Sequence, residues 1–424
     1  MTLSVRFSER VGRGGSSPIS YMMEQGVANP GIISLAAGLV DQESLPVEEV
    51  GGCVDRVLGE PRRGQRALQY GTTDGDLEIR QRLVEHLASL EGCLPRDLAL
   101  SPDRLIVGTG SQQLLYLVGE ILLDPGDIVL LGVPTYFVYM GALESLGARI
   151  VPIPTDDEGM LPDALDEALA KIEQARELER VKFIYDVSYF NNPTGLCLSA
   201  RRRQAIVDLA WRWSKTQRIF VVEDAAYREL RYRGEDIPSM LRFDAKGETV
   251  LYAGTFSKPF APGLKTGYLV TPPSLRNALI QQKGHHDFGS SNFVQHLLAE
   301  ALTSGDYHRH LGMLRELYRE KLEVTLSAIE AQFAPLGERV QWTEPDGGLY
   351  VWVRLPPSIP TSTNGDFFSR CLAAGVLVVP GEYCYPQSMP NVPRSYFRLS
   401  FGFQTIPKIE EGVARLGKVL REML

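Results

Sequence analysis

Apolar, β-branched runs alternate with helical patterns over the first two thirds of the chain. The runs read "RLIVGTG", which precedes the helical "SQQLLYLVGEIL", and then "DIVLLGVPTY", "ARIVPIP", "VKFIYDV", "RIFVVED" and "TVLYAGTF". Strands that are apolar along their whole length, with helical segments between them, are typical of a parallel sheet covered on both faces. The pattern therefore predicts an α/β fold with a mostly parallel sheet between helices.

After Thr271 the pattern changes. A helical region covers roughly 274–333 and is followed by the strand-like runs "VQWTEPDGGLYVWVRLP", "GVLVVPG" and "YFRLSFGF". This order predicts a smaller α+β domain behind the large one. We expect a large domain over 46–310 and a small C-terminal domain over 311–424. The segment 1–45 is expected to combine part of the small domain with an extended, Gly- and Ser-rich arm.

Composition and charge narrow the classes of function. The chain has 424 residues, of which 44% are hydrophobic, and a net charge of −8, which argues against a nucleic-acid partner because such proteins cluster Lys and Arg. No stretch approaches the roughly 18 apolar residues of a membrane helix, and the N terminus lacks the apolar core of a signal peptide. We therefore expect a soluble, cytoplasmic protein without a membrane partner.

The five cysteines are scattered along the chain and form no C-x-x-C pair. Unpaired, scattered cysteines are typical of proteins in a reducing cytosol, and their spacing does not match a zinc-binding motif. We expect no metal in the functional site.

The stretch "VGTGSQQLL" ends a strand with glycines and opens a helix at Ser111 and Gln112. Free backbone N–H groups and the helix dipole at such a point bind an anion, most often a phosphate. A dinucleotide-binding fingerprint would need a third glycine where Gln113 stands. A capped helix with a tight turn explains this stretch equally well.

Two further polar groups follow predicted strands. The turn "FNNPTG" comes after "VKFIYDV", where α/β sheets collect ligands, and its Asn192–Pro193 bond is a candidate cis peptide; a structural loop is the alternative. Asp224 ends the apolar strand of "IFVVEDAAYREL". A buried acid there must be neutral or face a cation, unless it is a helix N-cap.

Lys258 follows the strand "TVLYAGTF" in the same manner. A lysine at this place is either a solvated strand end or an amine whose pKa is lowered by burial, which makes it nucleophilic. Together with the phosphate-ready helix, the Asn-Pro turn and the buried acid, the second interpretation is favoured.

In this order, G-S-Q-Q, P-T-Y, N-P-T-G, E-D-A-A-Y and T-F-S-K resemble the motifs of the class I/II aminotransferases, which are fold-type I pyridoxal phosphate enzymes. The resemblance runs from "ISLAAGL" to "YFRLSF" and is closest to the branch of aminoadipate, kynurenine and aromatic amino acid aminotransferases. It implies an α/β transferase with a large and a small domain that moves an amino group between an L-amino acid and a 2-oxo acid in two half-reactions.

The same motifs are compatible with functions other than transamination. A decarboxylase, lyase or oxidase would keep the cofactor and change the outcome of the reaction. The effector domain of a transcriptional regulator shares the fold but needs a DNA-binding module, for which we expect no room before Ile33. A plain nucleotide-binding protein would leave Lys258, Asp224 and Arg398 without a reason.

The resemblance implies the catalytic roles. Lys258 would form the Schiff base with pyridoxal phosphate and, once free, move the proton at the substrate carbon. Asp224 would pair with the pyridine nitrogen and keep it protonated. Tyr227 and Asn192 would hydrogen-bond the ring phenolate oxygen, and Tyr136 would stack on the ring face.

The resemblance also implies the remaining contacts. Arg398 would bind the substrate carboxylate, assisted by Gly38 and Asn192. The cofactor phosphate would be held by Ser111, Gln112, Thr255, Ser257 and Lys265, with Tyr70 reaching over from the second subunit of a homodimer.

Three positions depart from the family's pattern. Lys265 stands where the phosphate site usually has an arginine, and a lysine lacks the planar fork of the guanidinium. Ser188 stands where the family commonly has a proline, and Asn191 where it commonly has a glutamine. No second arginine indicates a partner for a side-chain carboxylate, so the sequence does not identify the amino acid substrate.

Overall fold

The computed structural model describes residues 5–13 and 31–424. The predicted N-terminal arm therefore lies largely outside the described residues, apart from a short helix at Glu9–Arg13. The helices are α1 (Glu9–Arg13), α2 (Val47–Gly59), α3 (Pro61–Leu68), α4 (Leu77–Leu90), α5 (Ser111–Leu122), α6 (Phe137–Leu146), α7 (Pro162–Gln174), α8 (Ala200–Trp213), α9 (Pro273–Asp287), α10 (Asn292–Ser304), α11 (Asp306–Phe333), α12 (Asp366–Ala373) and α13 (Ile406–Met423).

The strands fall into two larger sheets and one strand pair. They are β1 (Ile33–Ser34), β2 (Leu105–Gly108), β3 (Ile128–Val133), β4 (Arg149–Asp156), β5 (Gly159–Met160), β6 (Val181–Val187), β7 (Phe220–Asp224), β8 (Val250–Thr255), β9 (Gly267–Val270), β10 (Gln341–Trp342), β11 (Tyr350–Arg354), β12 (Val376–Leu377), β13 (Val379–Pro380) and β14 (Tyr396–Ser400).

The large sheet has eight strands in the order β2-β9-β8-β7-β6-β3-β4-β5. Strands β8, β7, β6, β3 and β4 run parallel, which confirms the predicted mostly parallel sheet. All residues of β3, β7 and β8 are buried, as expected for strands covered on both faces. Helix α5 packs against β8 and β9, and α8 packs against β7.

Two strands of this sheet, β5 and β9, were not predicted. Strand β9 is antiparallel to both of its neighbours, and β5 is antiparallel to β4. The connection from β8 to β9 contains only a 3₁₀ turn at Pro262–Leu264, whereas parallel neighbours need a longer crossover, usually a helix. The strand after the Lys258 segment therefore returns in the opposite direction.

The C-terminal part of the chain forms the predicted smaller α+β unit. Its sheet is antiparallel, in the order β10-β11-β14-β13, and α11 packs against α13. Strand β1 pairs in parallel with β12, with Ile33 beside Val376, so the segment that begins at residue 31 is held against this unit. The domain boundaries at 45 and 310 remain a prediction. Among the described helices, none combines the length and apolarity that a membrane span needs.

Candidate active site

The predicted site residues meet at a cavity of about 290 Å³ beside the carboxyl ends of β6, β7 and β8. Ligands of open α/β sheets bind at this edge because the loops that follow the strands converge there. The small sheet adds Tyr350 of β11 and Arg398 of β14 to the lining. Of the predicted residues, those that line the cavity are Gly38, Ser111, Gln112, Tyr136, Asn192, Asp224, Tyr227, Thr255, Ser257, Lys258, Lys265 and Arg398.

Lys258 lies three residues beyond β8, with its amine turned into the cavity. Its Nζ donates a hydrogen bond of 2.6 Å to the carbonyl oxygen of Gly38. Burial lowers the pKa of Lys258, and the nearby guanidinium of Arg398 lowers it further, while Tyr350 acts in the opposite direction. The amine therefore loses its proton more readily than an exposed lysine and is a better nucleophile.

Asp224 is the last residue of β7, and only 4% of its surface is exposed. The hydroxyl of Tyr185 donates to Oδ2 at 2.9 Å, and the N–H of Ala226 donates to Oδ1 at 3.1 Å. Burial raises the pKa of Asp224 to about 6 in spite of these two hydrogen bonds. The segment that follows is a turn and not an α-helix, so the helix N-cap interpretation is wrong.

Arg398 is held from two sides of the cavity. Its Nη1 donates to Oδ1 of Asn192 at 2.7 Å, and its Nη2 donates to the carbonyl oxygen of Ala36 at 2.6 Å. Its Nε is buried without a hydrogen-bond partner among the described residues. The guanidinium also lies over the ring of Tyr350, 4.3 Å from the centroid. A fixed guanidinium with donor capacity to spare is suited to a carboxylate.

The turn that carries Asn192 is closed by backbone hydrogen bonds. The N–H of Gly195 donates to the carbonyl of Asn191 at 2.7 Å, and the N–H of Asn191 donates to the carbonyl of Leu196 at 2.8 Å. The expectation of a cis Asn192–Pro193 bond is wrong, because the turn closes with this peptide in the trans form. In the described part of the chain, the cis peptide bond is Val133–Pro134.

The other end of the cavity contains the start of helix α5, whose first backbone N–H groups have no partner within the helix and are suited to an anion. Helix α5 begins at Ser111 after Gly110, whose φ of 78° favours glycine. Strand β9 comes so close that a Cβ on Gly267 would lie 2.3 Å from the Ser111 nitrogen. Gln112 lines this end of the cavity, although its buried Oε1, which has no hydrogen-bond partner among the described residues, is an acceptor and not a donor for an anion.

Gln113, at the place of the missing third glycine, has a structural role. Its Oε1 accepts from the N–H of Thr109 at 2.7 Å, and its Nε2 donates to Asp287 at 2.9 Å. It therefore fixes the loop before α5.

Two of the family departures lie behind the cavity and do not line it. The hydroxyl of Ser188 donates to Glu223 at 2.8 Å, and Glu223 forms a fully buried ion pair with Arg203 at 3.0 Å. Asn191 accepts, through its Oδ1, from the N–H of Thr194 at 3.3 Å. Both side chains serve local structure, so these departures do not change the groups that face a ligand.

Tyr70 does not line the cavity. Its side chain is largely exposed, with 83% of the residue accessible, and its ring stands edge-on to Phe288 at 6.0 Å between centroids. Its role in a second subunit's site therefore stays a prediction.

Several lining residues were not found from the sequence. Tyr350 is the most consequential, because its hydroxyl lies 2.8 Å from the hydroxyl of Tyr227. The glycines of "PDGGLYVW" indicated a close backbone approach, but no motif pointed to the tyrosine. The other lining residues that were missed are Thr109, Gly110, Phe137, Val187, Ala226 and Pro262.

A family model described as aminotransferase class I and II matches residues 31–416. The chain belongs to this family. It is 34% identical to the aromatic-amino-acid aminotransferase 1 of Thermococcus litoralis, over 98% of this chain and 94% of the relative. It is 33% identical to the 2-aminoadipate transaminase of Thermus thermophilus, over 100% of this chain and 98% of the relative.

A solved structure gives the same result for the fold. The α-aminoadipate aminotransferase LysN from Thermus thermophilus, complexed with N-(5′-phosphopyridoxyl)-L-leucine, matches with a TM-score of 0.83 and 32% identity, over 98% of this chain and 97% of that one. The predicted family, the fold-type I architecture, the pyridoxal phosphate cofactor and transamination are thereby confirmed. The protein is a pyridoxal phosphate-dependent aminotransferase.

The residues of this aminotransferase fit the cofactor. A protonated ring nitrogen would supply the cation that the buried carboxylate of Asp224 lacks, since both of its hydrogen bonds come from neutral groups. The start of α5 and the hydroxyls of Thr255 and Ser257 offer donors for a phosphate in the same cavity. Lys258 lines the same cavity, and its amine forms no ion pair in the described chain.

Proposed function

We propose that this aminotransferase transfers the amino group of an aromatic or similarly large L-amino acid to a 2-oxo acid, with Lys258 as the residue that binds the cofactor. The observation that carries the proposal is that the partly buried amine of Lys258, the Asp224 carboxylate and the Arg398 guanidinium share one cavity. The donor leaves as a 2-oxo acid and the acceptor leaves as an amino acid, so the reaction needs no external oxidant or reductant.

Pyridoxal phosphate, when bound, supplies a protonated ring that draws electrons from the substrate α-carbon and carries the amino group between the half-reactions. Asp224 keeps the ring nitrogen protonated, and the hydroxyl of Tyr227 and the amide of Asn192 bind the ring oxygen. Ser111, Gln112, Thr255, Ser257 and Lys265 bind the phosphate. Tyr136, which also lines the cavity, would stack on the cofactor ring and help to orient it.

Two further residues act on the substrate. Arg398 binds the carboxylate and so fixes the α-carbon at a set distance from Lys258. The amine of Lys258, lowered in pKa by burial, removes the proton from the α-carbon and returns it during the second half of the cycle.

The preference for a large donor rests on the lining of the cavity. The cavity has an aromatic wall formed by Tyr136, Phe137 and Tyr350. Among its described lining residues, Arg398 is the one arginine. With Arg398 engaged by the α-carboxylate, a second carboxylate on the substrate would have no arginine among those lining residues. Relatives named for aromatic amino acids and for 2-aminoadipate are almost equally similar to this chain, at 34% and 33% identity, so the choice of an aromatic donor rests on the lining.

A donor screen tests this proposal. Purified holoenzyme is offered L-phenylalanine, L-tyrosine, L-2-aminoadipate and L-alanine, with 2-oxoglutarate or pyruvate as acceptor, and both products are quantified by mass spectrometry. We expect the aromatic donors to have the highest kcat/KM, with one oxo acid formed for each amino acid formed. A kcat/KM for 2-aminoadipate above that of both aromatic donors would contradict the donor class.

We also infer a cytoplasmic homodimer with shared active sites. Tyr70 and Phe288 are exposed and adjacent, so they form a small apolar surface that a second subunit would cover. Within one chain Tyr70 has no place in the cavity, which agrees with a role in the neighbouring site.

A further inference from the structure

Tyr350 links the two parts of the active site. It is the first residue of β11 in the small sheet, is almost fully buried and lies beside Ser400 of β14 in the register. Its hydroxyl lies 2.8 Å from the hydroxyl of Tyr227, which follows β7 of the large sheet. One hydrogen bond therefore joins a residue of the small sheet to a residue of the turn that follows β7 of the large sheet.

The position of Tyr350 is fixed on its other sides as well. Its ring lies beneath the guanidinium of Arg398 at 4.3 Å, and its edge meets the ring of Tyr227 at a centroid distance of 5.5 Å. A Cβ on Gly38 would lie 2.5 Å from the Tyr350 hydroxyl, so only glycine leaves room for it. The surrounding groups therefore hold the Tyr350 hydroxyl against the hydroxyl of Tyr227.

The direction of this hydrogen bond matters. Each hydroxyl has a single proton, and either one can donate in the pair. If Tyr227 donates, its proton is used and cannot reach a ligand. If Tyr350 donates, the proton of Tyr227 is free for an acceptor in the cavity, and the two hydrogen bonds polarise one another in the same sense.

We propose that Tyr350 is a positioning residue whose hydroxyl donates to Tyr227 and so directs the Tyr227 proton to the ring oxygen of the cofactor. This inference rests on the proposed role of Tyr227. Because a stronger hydrogen bond to that oxygen favours its anionic form, Tyr350 also makes the link between Lys258 and the cofactor more acidic.

The test is a spectrophotometric pH titration of the holoenzyme without substrate. The protonation of the lysine–cofactor link changes the absorption of the cofactor, so the titration reads the pKa of the link without measuring activity. Tyr350→Phe removes the hydroxyl but keeps the ring under Arg398 and the fit against Gly38. We expect this pKa to rise by about 0.5 to 1 pH unit, the size that one hydrogen bond can account for.

A double-mutant cycle separates a relay from an independent effect. In the Tyr227→Phe background the same Tyr350→Phe change should shift the pKa by less than about 0.2 pH unit, because the relay is already broken. The matched control is Tyr189→Phe, which removes the hydroxyl of another buried tyrosine, hydrogen-bonded to Ile237 at 2.8 Å and outside the cavity. It should leave the pKa unchanged.

The outcomes are distinguishable. A wild-type pKa in Tyr350→Phe, or an equal shift in both backgrounds, overturns the role of Tyr350 and leaves the proposed function intact. A wild-type holoenzyme whose cofactor absorption does not titrate, and whose cofactor is not attached to Lys258, overturns the proposed function and this inference with it.

Discussion

The amine of Lys258 donates a 2.6 Å hydrogen bond to the carbonyl oxygen of Gly38. The lysine follows a strand of the large sheet, whereas Gly38 follows β1, which pairs with a strand of the C-terminal part. The contact shows that the cavity is assembled from segments far apart in the sequence. The acceptor of this hydrogen bond is a neutral carbonyl, so the contact orients the amine without forming an ion pair.

Replacement of Asp224 should slow catalysis much more than it weakens cofactor binding. Asp224→Asn keeps the shape of the side chain but cannot hold a proton on the ring nitrogen. With saturating cofactor we expect kcat to fall about a hundredfold or more, the usual effect of removing one electrostatic partner of a transition state. Steady-state kinetics of wild type and variant provide the measurement, and turnover within about threefold of wild type would contradict this role.

The raised pKa of Asp224 predicts how cofactor affinity depends on pH. Without the cofactor the carboxyl has a pKa of about 6, so it is protonated below that pH and cannot pair with a protonated ring. The affinity of the cofactor-free protein for pyridoxal phosphate should therefore fall as the pH is lowered from about 7 to 5. In Asp224→Asn the cofactor phosphate still titrates, but residue 224 does not, so the affinity should fall less steeply with decreasing pH. Fluorescence titration of the cofactor-free proteins measures both affinities. Equal slopes in the two proteins would show that Asp224 does not contribute.

Arg398 should serve both half-reactions. Because its guanidinium faces the carboxylate that amino acid and oxo acid share, Arg398→Ala should raise KM for both by about tenfold to a hundredfold, with cofactor content unchanged. Arg394→Ala is the matched control, since that side chain is 65% exposed and pairs with Glu382 at 3.4 Å. An effect on only one of the two substrates would argue against a common carboxylate site.

The predicted phosphate contact of Lys265 can be tested by comparing its replacement by alanine with its replacement by arginine. The side chain lies at the rim of the cavity, exposed to solvent, and has no ion pair within the described chain. Lys265→Ala should weaken pyridoxal phosphate binding by about 1.5 to 3 kcal/mol, the range of a charged hydrogen bond, whereas Lys265→Arg should keep or slightly tighten it. Lys408→Ala, which removes an exposed lysine on α13, controls for the loss of a surface charge. If the Lys265→Ala protein binds the cofactor as wild type does, Lys265 is not a phosphate ligand.

Shared active sites predict complementation between two defective variants. If Tyr70 completes the partner's site, a mixed dimer of Tyr70→Ala and Lys258→Ala has one site with both changes and one site with neither. After co-refolding of equal amounts, about a quarter of all sites should be intact, and activity should approach that fraction of wild type. Activity no higher than the average of the two parents would indicate sites confined to one subunit.

Much of the large sheet could be predicted because its strands are apolar throughout. The run "VKFIYDV" matches β6 from Val181 to Val187, and "SQQLLYLVGEIL" matches α5 from Ser111 to Leu122. The polar residues at or just after the ends of such runs, Asp224 and Lys258 among them, stand out for the same reason. Strand β9 was missed because its four residues follow a turn and lack a pattern long enough to recognise.

The remaining features depend on tertiary contacts. Tyr350 is separated by 123 positions from Tyr227, and nothing in its neighbourhood in sequence indicates that the two hydroxyls meet. The part played by Ser188 likewise becomes clear only when the buried pair of Glu223 and Arg203 is seen beside it. Spacing along the chain can identify strand ends, but it cannot show which side chains of the other sheet face them.

The most direct test of the central claim is to find the residue that carries the cofactor. Holoenzyme is reduced with borohydride, digested and sequenced by tandem mass spectrometry, with Lys258→Ala treated in parallel. We expect the phosphopyridoxyl group on Lys258 in the wild type and on no residue in the variant. Modification of another lysine, or of none, in a wild-type protein that is active as an aminotransferase would contradict the assignment.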